Sequence, residues 1–325
     1  MKQLEISDYR KVNESYHRRL IYHAGIDCGF FVELNYMINA MLYCLANGYR
    51  FLLYSEDANF GTGKGWTEYF LPFCEEVHEP FHHKYNLRRQ SIWRRILAHW
   101  LAFKTYGEYV RLSQDVAHEP DKFYHIPALG ISCSYTEAYA MLARIIWQPQ
   151  PEVQQKMKDA RHRLSLPEIY SGVQIWEGNN ATGSRLISGW QIIQALHPQD
   201  GECIFALADN YQQLEIVRNE FQKLRIVSLC QPHETGYHHQ AFEHLSPQEK
   251  KESVIRLLIS VDILLQCCAF VGTITSGPSV FLLKVRADDP CFTAIDCPQD
   301  MLPDCLTLNI DERAAISRRF VVRLT

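Results

Sequence analysis

The chain has 325 residues, which at roughly 150 per domain points to two domains rather than one enlarged core. Hydrophobic residues make up 47% and charged residues 22%, which excludes a disordered chain, a collagen-like repeat and a coiled coil. The formal charge of −4 shows no basic excess, so a protein built around nucleic acid is excluded as well.

Eleven cysteines are present, several inside apolar runs where a reduced thiol behaves as a small hydrophobe. There is no CxxC pair and no Cys/His spacing of a zinc site, so no metal is expected. The His238-His239 pair, with His233 nearby, reads as a surface loop. The amino terminus, MKQLEISDYRK, has no apolar leader, and a reduced, cytoplasmic setting is expected. Residues 257–275 are long enough to span a bilayer, but Asp262 near the middle costs about 2.5–3.5 kcal/mol on insertion. A buried helix running into a buried strand is the expectation there, with no transmembrane segment.

In chain order, LIYHAG is a strand, and VELNYMINAMLYCLANGYR places Leu34, Met37, Ile38, Met41, Leu42 and Leu45 on one helical face. Gly48 ends that helix as a C-cap, and RFLLYS is the next strand. Residues 64–112 read as mostly helical. A polar, proline-punctuated stretch then sets a boundary near 150–166, dividing the chain into residues 1–160 and 161–325. Beyond it the alternation is clearer. YSGVQIW, CIFALA, IVSLC, AFVGT and CFTAID are strands separated by helices over RLISGWQIIQAL, Tyr211–Leu224, Ser246–Cys268 and Pro278–Arg286. Such alternation implies βαβ units and parallel sheets, hence an α/β chain of two Rossmann-like lobes with a cleft between them.

In open α/β sheets, ligands bind beyond the carboxyl ends of strands, so three loops carry the chemistry. The first is Thr273-Ile274-Thr275-Ser276-Gly277-Pro278-Ser279. Gly277 as N-cap and Pro278 at the first helical position would leave free N–H groups beside hydroxyls, an anion site. An ordinary capped helix has the same residues. The second is Gln174-Ile175-Trp176-Glu177-Gly178-Asn179, with Arg185 beyond, which is either a cleft loop or a solvated turn. The third, Gly25-Ile26-Asp27-Cys28-Gly29, lacks the G-x-G-x-x-G of a dinucleotide loop and reads as a tight βα turn open to close backbone approach. Asp262, in an apolar helix, needs a partner, which a nucleotide base or an internal arginine would supply equally well.

Together these residues resemble the α1,6-fucosyltransferase superfamily, glycosyltransferase family 23, and within it the rhizobial nodulation enzymes more than the animal ones. The similarity is fair across residues 20–55 and clearer across 170–286. Gly178-Asn179 match a Gly-Asn pair of the nodulation enzymes. Thr275, Ser276 and Gly277 match the phosphate-binding loop, Asp262 the aspartate that reads guanine, and Asp209 the end of an Ala-Thr-Asp strand. Gln174 stands at the family's histidine and Trp176 at its diphosphate-binding arginine, a position where tryptophan offers no cationic fork. The resemblance implies a GT-B fold, GDP-fucose as donor substrate, inversion at the anomeric carbon and no metal or other cofactor. It implies a glycan as acceptor, Glu177 or Asp27 as base, and Arg185 as a replacement cation. A non-catalytic nucleotide-sugar or glycan-binding protein with a decayed site is the alternative.

Overall fold

A computed structural model describes residues 4–25, 28–84, 86, 93, 96, 97, 123–176 and 187–324. The chain forms two compact units, Met1–Pro151 and Glu152–Thr325. The break falls where α5, Pro151–Leu164, starts directly on its proline. Before it, Gln150 and Gln148 are held by backbone bonds to Tyr69 and Leu71, so the polar stretch is anchored rather than a free linker.

In the first unit, α1 (Ile6–Ser15) precedes β1 (Arg18–His23), α2 (Phe30–Asn47) and β2 (Tyr49–Tyr54). The two strands pair in parallel from Arg18↔Tyr49 to His23↔Tyr54, making one βαβ unit. Buried Asn13 on α1 grips the Phe51 backbone twice, accepting from its N–H at 2.7 Å and donating to its carbonyl at 2.9 Å. α2 ends as expected, with Gly48 at φ +66 as a left-handed C-cap. Segment 69–79 departs from the expected helix. Pro72 denies it a donor, and Glu76 instead pairs beside Leu53 as a short third parallel edge. Trp66 stacks on Phe70 at 4.4 Å beneath it, both fully buried. Helix α3 covers Pro80–Lys84, and β3 (Tyr124–Ile126) and β4 (Ile131–Cys133) form an antiparallel hairpin. Helix α4, Tyr135–Ile146, begins in a capping box of Ser134 and Glu137.

The second unit contains β5 (Ser171–Ile175), α6 (Gly189–Ala195), β6 (Cys203–Ala208), α7 (Tyr211–Glu220) and β7 (Arg225–Val227). There follow α8 (His239–Glu243), α9 (Pro247–Leu265), β8 (Ala269–Gly272), α10 (Gly277–Val285) and β9 (Phe292–Ala294). All five strands are parallel, in the order β7-β6-β5-β8-β9. Two helices absent from the sequence reading close the chain, α11 (Leu302–Thr307) and α12 (Ile310–Leu324). Alternation of side chains along β5 sends Val173 and Ile175 into a core with Ile192, Ile193, Leu214 and Val217. Gly172 and Gln174 face the other way, where Leu264 and Cys267 of the α9–β8 segment press on Gly172. Among the described residues no helix is long and apolar enough to cross a membrane.

Candidate functional site

The strand order reverses between β5 and β8: the chain leaves β5 towards β6 and β7, and leaves β8 towards β9. That junction is the topological switch point, where a ligand finds a crevice at the carboxyl ends of the strands. Two sequence-selected segments meet there. Gln174, 6% exposed, accepts the Ser276 hydroxyl on Oε1 at 2.8 Å, and the same oxygen accepts the hydroxyl of fully buried Ser279. Ser276, rather than Gly277, is the N-cap of α10; Gly277 is its first helical residue, followed by Pro278. The Ser276 hydroxyl makes no capping bond, because it is turned onto Gln174. Gly272 makes this possible, since a Cβ there would lie 2.2 Å from Ser279 Oγ.

The loop is held from below by two groups that sequence reasoning did not select. Asp296, just after β9 and fully buried, accepts the Ile274 N–H at 2.8 Å. Burial pushes its pKa up to about 6 against the pull of that bond. Arg313 of α12 donates from Nε to the Ile274 carbonyl at 2.8 Å. A carboxylate and a guanidinium thus fix the backbone of one residue on both sides, through its N–H and its carbonyl, and Thr275 and Ser276 follow it. Thr275 donates to the Thr273 hydroxyl at 3.4 Å.

Asp209, at the end of β6, turns its carboxylate on the loop before α8, accepting from the Tyr237 N–H at 3.0 Å. Glu234 in that loop pairs with Arg256 of α9. Arg256 therefore sits at the carboxyl edge of the sheet, and this fixes the direction of α9, which runs against the strands. Asp262 is carried to the opposite edge. It lies one turn from the helix end, accepts from Gln266 at 2.9 Å, and neighbours Gln266, which binds Arg161 at 2.7 Å. Tyr170, immediately before β5, donates to the Ile263 carbonyl at 2.7 Å. Leu264 faces the sheet, so Asp262, two residues and about 200° earlier, faces away from it. The expectation that Asp262 joins Thr275–Gly277 in one site is corrected: it is half-exposed at the amino edge.

In the first unit, Gly25 and Gly29 flank the βα turn. Gly29 is the N-cap of α2, and the Gly25 N–H donates to Glu33 at 3.0 Å. Glu33 is buried and also accepts from the Tyr22 hydroxyl at 2.6 Å, a carboxylate hidden in the helical pattern that buttresses the turn. Nearby, buried His23 and His82 share a 3.0 Å bond between Nε2 and Nδ1. Asp27, Glu177, Gly178, Asn179 and Arg185 lie outside the described residues. Among the described residues no group of three or more His, Cys, Asp or Glu is arranged to hold a metal ion.

No family model matches the chain, and no curated protein matches it by sequence. Solved structures do match. NodZ α1,6-fucosyltransferase soaked with GDP-fucose superposes with a TM-score of 0.51 at 12% identity, covering 82% of this chain and 92% of that one. The chain has a fucosyltransferase-like fold of the GT-B kind. A selenomethionine form of the fucosyltransferase NodZ from Bradyrhizobium gives 0.49 at 13% identity, over 84% and 92% of the two chains. Arabidopsis thaliana FUT1, as its R284K mutant with GDP, gives 0.49 at 10% identity, over 86% and 73%.

Proposed function

We propose that this protein is a metal-independent, inverting glycosyltransferase that transfers a sugar, fucose first among the candidates, from a GDP-sugar to a glycan. The observation carrying this reading is the Gln174–Ser276–Ser279 clamp at the switch point. It sets the first turn of α10 at the carboxyl end of the strand that neighbours β5, in a fold shared with a fucosyltransferase soaked with GDP-fucose. A helix N-terminus contributes about 0.3–1 kcal/mol to binding an anion, up to about 2 when partly buried. That is too little to hold a diphosphate and stabilise its departure, so a cation belongs to the site. Arg185 keeps that role, and Arg313, already bonded to Ile274, is a second source of positive charge. Glu177 or Asp27 takes the proton of the acceptor hydroxyl as it attacks the anomeric carbon, while the helix end and cation stabilise the leaving GDP.

One observation favours a second reading, a non-catalytic nucleotide-sugar or glycan-binding protein. Gln174 spends its oxygen on two serines, and neither it nor Trp176 brings charge to the family's His and Arg positions. Calorimetric titration with GDP, GDP-fucose and GDP-mannose, followed by assays of donor hydrolysis and of transfer to a glycan panel, separates the two. Binding with turnover supports the enzyme, and binding without turnover the binding protein. The absence of GDP binding overturns the enzyme and the nucleotide-sugar-binding protein, and leaves glycan binding alone. Arg185→Ala and Ser276→Ala, compared for GDP affinity and turnover, test the anion site, and EDTA tests metal independence: activity restored by manganese counts against it.

A further inference from the structure

All eleven cysteines are free thiols, and two of them meet. Cys297 and Cys305 are buried, and their sulfurs lie 3.1 Å apart, with Cys297 Sγ donating to Cys305 Sγ. The segment between them is a single 3-10 turn, Gln299–Met301, running into the first residues of α11: Gln299, Asp300, Met301, Pro303 and Asp304 are exposed, and only Leu302 is buried. Cys297 directly follows Asp296, whose carboxylate holds the Ile274 N–H. We propose that Cys297 and Cys305 are a reversible dithiol–disulfide pair, oxidised by small-molecule disulfides, whose state is transmitted through Asp296 to the Thr273–Gly277 loop.

The chemistry balances as two thiol–disulfide exchanges. The Cys305 thiolate attacks a small disulfide RSSR, forming a mixed disulfide and releasing RS⁻. Cys297 then attacks the Cys305 sulfur, closing the internal bond and releasing a second RS⁻, and the two thiol protons leave as two RSH. The two cysteines can exchange these roles without changing the product. Burial raises both thiols, so attack proceeds through local opening of the exposed turn rather than from the closed pair. Closure shortens the separation from 3.1 Å to about 2.05 Å. The displacement restrains Cys297, hence Asp296, hence the peptide it holds.

The test uses the full chain equilibrated in glutathione buffers of increasing oxidised fraction, quenched by alkylation and mapped as peptides. The expected product is a Cys297–Cys305 cross-link, with severalfold slower amide hydrogen exchange over residues 273–277 in the oxidised form. Cys297→Ser and Cys305→Ala should each lose the cross-link and the redox dependence of that exchange. A folded wild type that takes glutathione on exposed Cys268 or Cys291 but forms no cross-link overturns the pairing. A cross-link that leaves exchange over 273–277 unchanged overturns the transmission. Neither readout depends on nucleotide binding.

Discussion

Gln174 and Ser276 are 102 residues apart in sequence and joined by a 2.8 Å hydrogen bond at the switch point of the sheet. Replacing Gln174 by Leu leaves the Ser276 and Ser279 hydroxyls buried without their acceptor, and an unsatisfied buried group costs about 1–3 kcal/mol. Denaturant unfolding should show a loss in that range, and GDP affinity should fall with it. Gln174→Leu with wild-type stability would remove the clamp from the account.

Gly272→Ala tests the same contact from the strand side. Its Cβ meets Ser279 Oγ at 2.2 Å and the Phe270 ring at 2.7 Å, so overpacking should cost about 1–3 kcal/mol. Adding Ser279→Ala removes one of the two obstacles. The double mutant should therefore be less destabilised than the two single losses summed, and strict additivity would show that Ser279 is not what excludes a side chain at 272.

Asp262→Asn should leave GDP affinity unchanged, because Asp262 faces away from the sheet at the edge opposite the Ser276 loop. A calorimetric titration in which this substitution weakens GDP binding tenfold or more, about 1.4 kcal/mol, would place the nucleotide at the amino edge instead.

Two buried groups give opposite pH slopes. Asp296 has a folded pKa of about 6 against about 3.9 unfolded. The native state therefore holds the extra proton between those values, and stability falls as pH rises from about 4 to 6, by about 2–3 kcal/mol. Asp296→Asn should be more stable relative to wild type at pH 7 than at pH 4. A stability difference that does not vary with pH would sink the assignment.

His82 works the other way. Burial lowers its pKa, with His23 at 3.0 Å and Glu79 at 3.4 Å as its polar neighbours. The unfolded chain binds the proton first, near pH 6.5, so this contribution to stability is complete above that value and is lost as pH falls below it. The melting-temperature difference between wild type and His82→Gln should therefore shift against the wild type as pH falls from 7 to 5, the Asp296 contribution cancelling in the comparison. A difference that does not vary with pH in the folded variant would show that another group is responsible.

How much of this was legible in the sequence depends on what each feature needs. The five strands of the second unit were, because buried runs between capped helices announce themselves locally. Gly48 was legible for the same reason: left-handed caps favour glycine. Asp262 misled because sequence order gives no direction in space. α9 leads into the strand before the phosphate-like loop, but it runs against that strand, so its last turn is the part farthest from the loop. Asp296, Arg313 and Glu33 were hidden because their importance lies in the backbone groups of loops elsewhere in the chain that they meet. Segment 69–79 was misread as helix because its aromatic residues carry no period that separates a packed irregular run from a helical face.

The parallel order of the second sheet also bears on how the chain acquires its structure. β5 sits at the centre, yet its partner β8 follows almost a hundred residues later, the Cys268 N–H and thiol both reaching the Tyr170 carbonyl across 98 positions. At roughly 5–20 residues per second of synthesis, β5 keeps one open edge for roughly 5–20 s after it emerges. Gln174 stays on that edge without either serine. The Thr273–Gly277 loop is then among the last parts of the unit to be assembled, and pairing over such a distance makes the final step slow.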